Sequence, residues 1–376
     1  MNIAVVFGGE SCEHDISIIT GVQLINNMNK YLYNVVPIYI DKSGNWLTGE
    51  TLKDIDNYPN NLGKLSKCSM IPNDNYLYFI SKNRKSAKRK ILIDMAFLCL
   101  HGVRGEDGSV ASVFELSKVP YFASSICSSS VCMDKVIFKH FAKGLGVKVV
   151  DGIEVTEDEF LNQKDIVVER INTLKYPIIV KPARLGSSIG ISVCEKEEEF
   201  EKTLKSAFLY DKSVLIEKFI PVKKEVNIAI FDKKGEYVLS NTEEPLTAEK
   251  FLNFDDKYRQ NTGGFETIKR VMPASISDDQ NNEIIAMVTK VYSALKMFGV
   301  VRFDFLVDKD DEIYLNEVNT IPGSMSNYLF NKQKYPYSKL IELWISNAVF
   351  RCDKEKQLIR TLNTDVLNDG FDGFKK

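Results

Sequence analysis

The opening stretch of the chain restricts the fold more than any later one. Ile3–Phe7 is an unbroken apolar run of buried-strand length, Gly8-Gly9 breaks it, and apolar residues then recur at helical spacing from Ile16 to Met28. Val35–Ile40 and Met95–Leu100 repeat the strand pattern, and Val110–Leu116 has helical spacing between Gly108 and Pro120. Strand and helix therefore alternate over the first ~120 residues, which predicts an open parallel sheet. The interval Asn45–Lys90 is polar and irregular and receives no assignment.

Further along, a helix is predicted across Lys135–Leu145 and a strand at Val149–Val155. Ile178–Pro182 reads as a strand that breaks into the loop Ala183–Ser188, Glu197–Phe208 as an amphipathic helix and Val214–Phe219 as another strand, together a small α+β unit. Strands follow at Val226–Phe231 and Tyr237–Ser240, then a polar segment from Asn241 to Gly264. Ser277 heads a helix with Gln280 in the capping-box position; Ile284, Ile285, Val288, Val291, Tyr292 and Leu295 form its apolar stripe, and Gly299 ends it. Val300–Val307 and Glu312–Val318 form a hairpin around Asp308–Asp311. The polar, glycine-containing residues 351–376 are expected to be loosely held.

A chain of 376 residues exceeds one ordinary domain, so two or three domains sharing a long interface are expected. With a formal charge of −2, nothing marks a basic surface built to neutralise nucleic-acid phosphates or anionic lipids. The one basic cluster, Lys82, Arg84, Lys85, Lys88, Arg89 and Lys90, reads as a solvated loop or strand entry. Seven scattered cysteines without a Cys-x-x-Cys pair, beside only three histidines, argue against a zinc site or a disulfide framework. No apolar stretch approaches the ~20 residues needed to span a bilayer, and the chain is expected in the cytoplasm, with neither membrane nor nucleic acid as partner.

Arg302 and Asp304 lie two apart on one strand of the hairpin, and Glu317 and Asn319 two apart on its partner, so each pair shares a face. A suitable register puts all four on one surface, where two carboxylates and an amide oxygen suit oxygen-ligated Mg²⁺; the alternative is a solvent-facing hairpin with ordinary charge pairs. Asn319 runs into Thr320-Ile321-Pro322-Gly323, a turn that can aim a glycine amide into a site. The loop from Lys181 to Gly190 carries Gly186, Ser187 and Ser188 and could cover a polyphosphate through backbone N–H groups and hydroxyls, or serve chain reversal alone. It lacks the Gly-Lys-Ser/Thr ending of a P-loop, and the chain has no Gly-x-Gly-x-x-Gly fingerprint, which disfavours a Rossmann oxidoreductase.

Seven motifs in order resemble the D-alanine–D-alanine ligase family within the ATP-grasp fold. They are Gly8-Gly9-x-Ser11-x-Glu13-x-x-Ile16-Ser17, Leu100-His101-Gly102-x-x-Gly105-Glu106-Asp107-Gly108, Met133-Asp134-Lys135, Lys181-Pro182 with Gly186-Ser187-Ser188-x-Gly190, Ile216-Glu217-Lys218, Arg302-x-Asp304, and Asn316-Glu317-x-Asn319-Thr320-x-Pro322-Gly323. The resemblance implies an α/β fold, α+β in part. Residues 1–122 would form an N-terminal open parallel-sheet, substrate-binding domain and 123–218 a small central ATP-grasp subdomain. Residues 219–350 would form the C-terminal catalytic domain with the metal-site hairpin, and 351–376 the tail.

It also implies roles. Lys135 and Lys181 would hold the ATP phosphates under the loop Gly186, Ser187, Ser188; Glu217, Lys218, Phe219 and Ile220 would line the adenine pocket, Glu225 would take the ribose hydroxyls, and Lys257 would reach the transferred phosphate. Asp304, Glu317 and Asn319 would carry two Mg²⁺ ions, with Mn²⁺ able to substitute. Glu13 would pair with the ammonium of the first D-alanine, with His101 nearby, and Ser187 and Tyr258 would tie a lid to Glu13. Arg302 and the N–H of Gly323 would stabilise the tetrahedral oxyanion.

The family commonly reads Thr-Ser-His-Ser after the Pro-Gly turn; here it is Ser324-Met325-Ser326-Asn327-Tyr328-Leu329, which puts Tyr328 where the serine usually reaches the second substrate, beside Leu329. The expected reaction is ATP-dependent synthesis of D-alanyl-D-alanine for peptidoglycan precursors by a homodimer, releasing ADP and phosphate. A different acceptor, such as D-serine, D-lactate or another amino acid, is the nearest alternative, and a non-catalytic nucleotide-binding regulator the more distant one.

Overall fold

The fold is known from a computed structural model, which describes residues 1–81, 88–246, 269–331 and 333–363. Its first body begins with β1 (Asn2–Gly8), α1 (His14–Asn27) and β2 (Asn34–Ile40), followed by the short strands β3 (Trp46–Thr48), β4 (Ser66–Ile71), β5 (Asp74–Phe79) and β6 (Lys90–Leu92). β7 (Met95–Leu98), α2 (Ser109–Leu116) and β8 (Tyr121–Phe122) complete it. Among the described residues these strands form one eight-stranded sheet, ordered β6-β5-β4-β3-β2-β1-β7-β8. Only β2, β1, β7 and β8 run parallel, so the predicted parallel sheet is the centre of a mixed one. Ile3–Phe7 has no exposed surface because helices and loops cover both faces of the centre.

The unassigned interval Asn45–Lys90 supplies the antiparallel flank β3–β6, where burial alternates because one face meets solvent. The basic cluster reaches this flank: the Lys90 ammonium sits 3.7 Å from the Tyr76 ring centroid and the Arg89 guanidinium 4.7 Å from that of Phe79, while Lys82, Arg84 and Lys85 lie outside the described residues.

Helices α3 (Ile126–Met133) and α4 (Lys135–Gly144) lead into a second sheet of β9 (Gly152–Thr156), β10 (Ile178–Pro182), β11 (Ser192–Cys194) and β12 (Ser213–Lys218), ordered β11-β10-β12-β9 and all antiparallel. Helices α5 (Glu157–Asn162), α6 (Lys164–Asn172) and α7 (Glu197–Phe208) belong to the same body, α6 and α7 burying Ile171, Phe200 and Leu204 in its core. The strand predicted from Val149 starts at Gly152, because Val147 and Val149 pack into the core of the next body instead.

A third sheet consists of β13 (Val222–Lys233) and β14 (Glu236–Leu239), and, after the short ribbon of β15 (Glu244–Pro245) and β16 (Arg270–Val271) and the helix α8 (Asp278–Ala294), of β17 (Val300–Asp308) and β18 (Ile313–Asn319). Ser277 and Gln280 form a reciprocal capping box at the start of α8. The last helix, α9 (Tyr337–Glu355), runs unbroken through residue 350 and stacks fully buried Trp344 on Phe122, ring centroids 5.1 Å apart. Phe231 of β13 meets the same indole edge-on, so the first and third sheets share one core.

Candidate active site

The hairpin of β17 and β18 adopts the register that makes it chemically significant. Arg302 pairs with Asn319 and Asp304 with Glu317, which puts all four on one face. A β-bulge follows: Phe305 pairs with Leu315, leaving Asn316 as the extra residue beside Glu317. The Arg302 guanidinium grips Asp304 with two bonds of 2.7 and 2.8 Å, and the Asn319 amide donates to Asp304 Oδ2 at 2.9 Å. Burial disfavours the Arg302 charge, yet Asp304 outweighs it and holds the guanidinium well above its ordinary range.

Across the cleft, the Glu217 carboxylate of β12 is almost fully buried between the ammonium groups of Lys139 and Lys181. Burial favours its neutral form, but the two lysines overcome this and pull the carboxyl down to about 2. Lys181 also reaches Asn316 Oδ1 at 3.3 Å, connecting the second sheet to the bulge. Lys135, first residue of α4 after the Asp134 cap, donates to the Leu185 carbonyl at 2.5 Å, and burial lowers the pKa of its ammonium.

The loop after β10 closes on the first body. The Ser187 hydroxyl donates to Glu13, and a Cβ at Gly186 would lie 2.7 Å from Glu13 Oε2, so a side chain there would displace the carboxylate. Ser187 and Ser188 hold φ of 53° and 59°, strained values for residues with a side chain. Glu13 stands at the N-cap of α1, yet its carboxylate does not cap the helix.

The buried His101 ring lies 2.9 Å from Thr20 Oγ1, which accepts from the Ser324 N–H at 3.1 Å. Burial pushes the imidazole down to about 4, with the Arg302 charge adding to it. Glu106 accepts from the backbone N–H groups of Gly102 and Ile321, at 2.9 and 3.1 Å; burial and then Glu13 push its carboxyl up to about 8. The Pro-Gly turn is thus fastened to the first body. Beyond it Ser324, Met325 and Ser326 all take left-handed backbone angles, with φ of 50°, 52° and 47°.

At the far wall the Tyr328 hydroxyl lies 3.5 Å from Glu243 Oε2, and the Arg270 guanidinium is 4.5 Å from the Tyr328 ring centroid. Arg270 pairs with Glu243 at 3.1 Å. Burial, then Glu243, push the Tyr328 phenol up to about 12.

One cleft between the three sheets gathers the residues singled out from sequence. Its lining includes Glu13, His101, Arg302, Gly323 and Tyr328, the lysines Lys135, Lys181 and Lys218, Ser187 and Ser188, the hairpin residues Asp304, Glu317 and Asn319, and Glu217, Ile220 and Glu225. Three described residues stand apart from the cleft lining: Gly186, packed against the Glu13 carboxylate, Phe219 and Leu329. Leu329 is fully buried in the core of the first body because the left-handed turn directs it there, and Phe219 runs beside Pro177, its N–H on that carbonyl at 3.3 Å. Lys257 and Tyr258 lie outside the described residues. Sequence reasoning passed over Lys139, Glu243 and Arg270, and quoted Asn316 and Glu106 without a role. Lys139 had a signal, one helical turn beyond Lys135; Glu243 and Arg270 meet only in the folded chain.

Two carboxylates and an amide on one rigid face suit a hard cation with few protein ligands, and the amide of Asn319 presents its oxygen once the group is turned over. Among the described residues no three His, Cys, Asp or Glu side chains cluster as a metal site, so any cation here would depend on phosphate or water oxygens for the rest of its shell.

Two α+β bodies enclosing a cleft with lysines on one wall and a carboxylate–amide hairpin on the other, under a glycine–serine loop, define an ATP-grasp ligase. Family models described as D-ala D-ala ligase N-terminus and D-ala D-ala ligase C-terminus match residues 2–124 and 141–346. The chain belongs to the D-alanine–D-alanine ligase family. The D-alanine–D-alanine ligase of Thermosipho africanus is 37% identical over 372 residues, 98% of either chain. Among solved structures, the VanG D-Ala:D-Ser ligase of Enterococcus faecalis is 26% identical with a TM-score of 0.76, over 92% of this chain and 99% of that one. The D-alanine–D-alanine ligase of Bacillus anthracis complexed with ATP is 27% identical with a TM-score of 0.67, over 94% and 99%. No helix among the described residues is long and apolar enough to cross a membrane.

Proposed function

We propose that this chain joins two D-alanine molecules to D-alanyl-D-alanine at the cost of ATP, releasing ADP and phosphate, as a cytoplasmic homodimer that supplies peptidoglycan precursors. The observation that carries the reading is the single cleft in which Glu13, Arg302, Lys181 and the hairpin carboxylates converge.

In this reading Glu13 receives the ammonium of the first D-alanine, leaving its carboxylate to attack the γ-phosphorus of ATP. ADP departs and an acyl-phosphate forms. Lys135 and Lys181 hold the phosphates, Lys218 and Ile220 border the base, and Glu225 takes the ribose hydroxyls. Asp304, Glu317 and Asn319 would hold two Mg²⁺ ions, or Mn²⁺ in their place, which when bound supply positive charge to the phosphate oxygens. The amine of the second molecule then attacks the acyl carbon, and Arg302 and the Gly323 N–H stabilise the oxyanion before phosphate leaves. Ser187 and Ser188, held on Glu13's side of the cleft, keep water from the acyl-phosphate.

Phosphate release from ATP and Mg²⁺ with D- and L-amino acids, singly and paired, tests this. Release with D-alanine alone is expected. No release with any pair would overturn the enzyme reading, and release only with a non-alanine acceptor would replace the second substrate.

A further inference from the structure

The wall beyond Arg302 is the part of the cleft that the family motifs leave unassigned, and its strand register gives it a definite place. Glu243 bridges to Asn227, Asn227 pairs with Asp304, and Asp304 pairs with Glu317, so four polar residues stand in one row across four neighbouring chain segments. Each step is about 4.8 Å, which sets Glu243 about 10 Å from Asp304 along the row. Arg302 and Gly323 line the same cleft as the hairpin carboxylates and this wall.

An acceptor amino acid that presents its amine beside Arg302 carries a carboxylate as well, and a desolvated carboxylate needs a charged donor. Of the described cations that line the cleft, Lys135 and Lys181 are assigned above to the phosphates, Lys218 to the base, and Arg302, which also grips Asp304, to the oxyanion. Arg270 stands on the acceptor side. Its side chain keeps 16% of its surface exposed, Glu243 fixes it from one side, and the Tyr328 ring supports its face. A guanidinium stacked on an aromatic ring and tethered by a carboxylate is preorganised for planar recognition of a second carboxylate. The Tyr328 hydroxyl is directed to Glu243.

Resting on the ligase reading above, we propose that Arg270, oriented by Glu243 and stacked on Tyr328, receives the α-carboxylate of the acceptor, and that the Tyr328 ring limits its side chain to a small one. Arg270 thereby makes, from beside Tyr328 on the same wall, the acceptor contact that a serine at the position of Tyr328 commonly makes in the family.

D-Alaninamide tests the assignment, because without a carboxylate it can serve only as acceptor. With D-alanine as donor, the wild type should prefer D-alanine over D-alaninamide as acceptor by about 10- to 100-fold in kcat/KM, the worth of a charge-assisted contact. Arg270→Met should bring the two acceptors to within about threefold, by raising the KM of D-alanine as acceptor and leaving the KM of ATP unchanged. Arg270→Lys, which keeps the charge without the fork and spares the wall if Met disturbs folding, should show an intermediate preference. An active wild type whose preference survives undiminished in either variant overturns the assignment alone. A wild type that releases no phosphate overturns the ligase reading, and the assignment with it.

Discussion

The Ser187 hydroxyl donates to the Glu13 carboxylate across 174 positions of sequence, joining the loop after β10 to the entry of α1. The bond spans two bodies and stands over the cleft, so its strength decides how well the loop shuts water out. Ser187→Ala should lower dipeptide formation by about 10-fold or more and raise the ratio of phosphate released to dipeptide formed, since an acyl-phosphate that meets water is lost to hydrolysis. Both products measured in one reaction check this; an unchanged ratio would show that the bond does not guard the intermediate.

The hairpin carboxylates lead to a stricter expectation. Glu317 faces Asp304 across the strand pair, and replacing it by glutamine keeps the shape while removing one anion. Glu317→Gln should abolish turnover, with a loss of at least about 1000-fold in kcat, and leave the circular dichroism spectrum and melting curve close to wild type. Retained activity would move any metal site away from the hairpin.

How far the sequence carries the fold depends on whether the signal is local. The strand Ile178–Pro182 and the helix Glu197–Phe208 were legible to the residue, since an apolar run and an amphipathic repeat with bounding loops are local patterns. The flank β3–β6 was not, because its one-sided exposure dilutes the apolar signal. In α9 a signal existed: Leu340, Ile341, Trp344, Ile345 and Ala348 make a helical stripe that went unread. In the site, the period-two pairs Arg302/Asp304 and Glu317/Asn319 were legible from alternation alone. Asn316 reaches Lys181 only through a bulge, which alternation does not reveal, and the Glu243–Arg270 pair depends on a bridge across 27 positions.

Lys139 offers a test of the buried lysine–glutamate–lysine triad. With Lys139 replaced by methionine, Glu217 keeps Lys181 as its partner, and the excess positive charge of the triad disappears. The stability loss should therefore stay below about 3 kcal/mol, less than breaking an isolated buried pair. Lys181 would be drawn more firmly to Glu217 and away from the cleft, so the KM for ATP should rise several-fold while the KM for D-alanine as donor holds. Equal increases in both would point to general loosening instead.

Glu106 and His101 give the fold opposite responses to pH. The Glu106 carboxyl, half-buried beside Glu13, rises from 4.5 in the unfolded chain to about 8 in the folded one, so the folded state holds the extra proton between those values and stability falls as pH climbs through that window. His101 drops from 6.5 to about 4, so its unfavourable contribution appears as pH falls below 6.5. Glu106→Gln should flatten the decline between pH 6.5 and 8 and leave the acid-side decline in place, although one backbone donor loses its acceptor at a cost of about 1–2 kcal/mol. Urea melts at half-unit pH steps decide it: parallel curves for the two proteins would refute the protonated carboxyl.

The left-handed turn at Ser324, Met325 and Ser326 carries strain that a single substitution can release. A non-glycine residue in this conformation costs about 1–2 kcal/mol, and Ser326 in addition buries its hydroxyl without a protein partner. Ser326→Gly removes both penalties against about 0.5–1 kcal/mol of added unfolded-state entropy. The net should be a gain of about 1 kcal/mol, larger than that of Ser326→Ala, which removes the hydroxyl alone. The same turn positions Gly323 and Tyr328 at the cleft while Thr20 and Gln23 of α1 pin Ser324, so the relaxed glycine variant should hold the acceptor less firmly and show a raised acceptor KM. A glycine variant no more stable than the alanine one would mean that the turn is not strained; a more stable variant with an unchanged acceptor KM would mean that the strain does not serve the site.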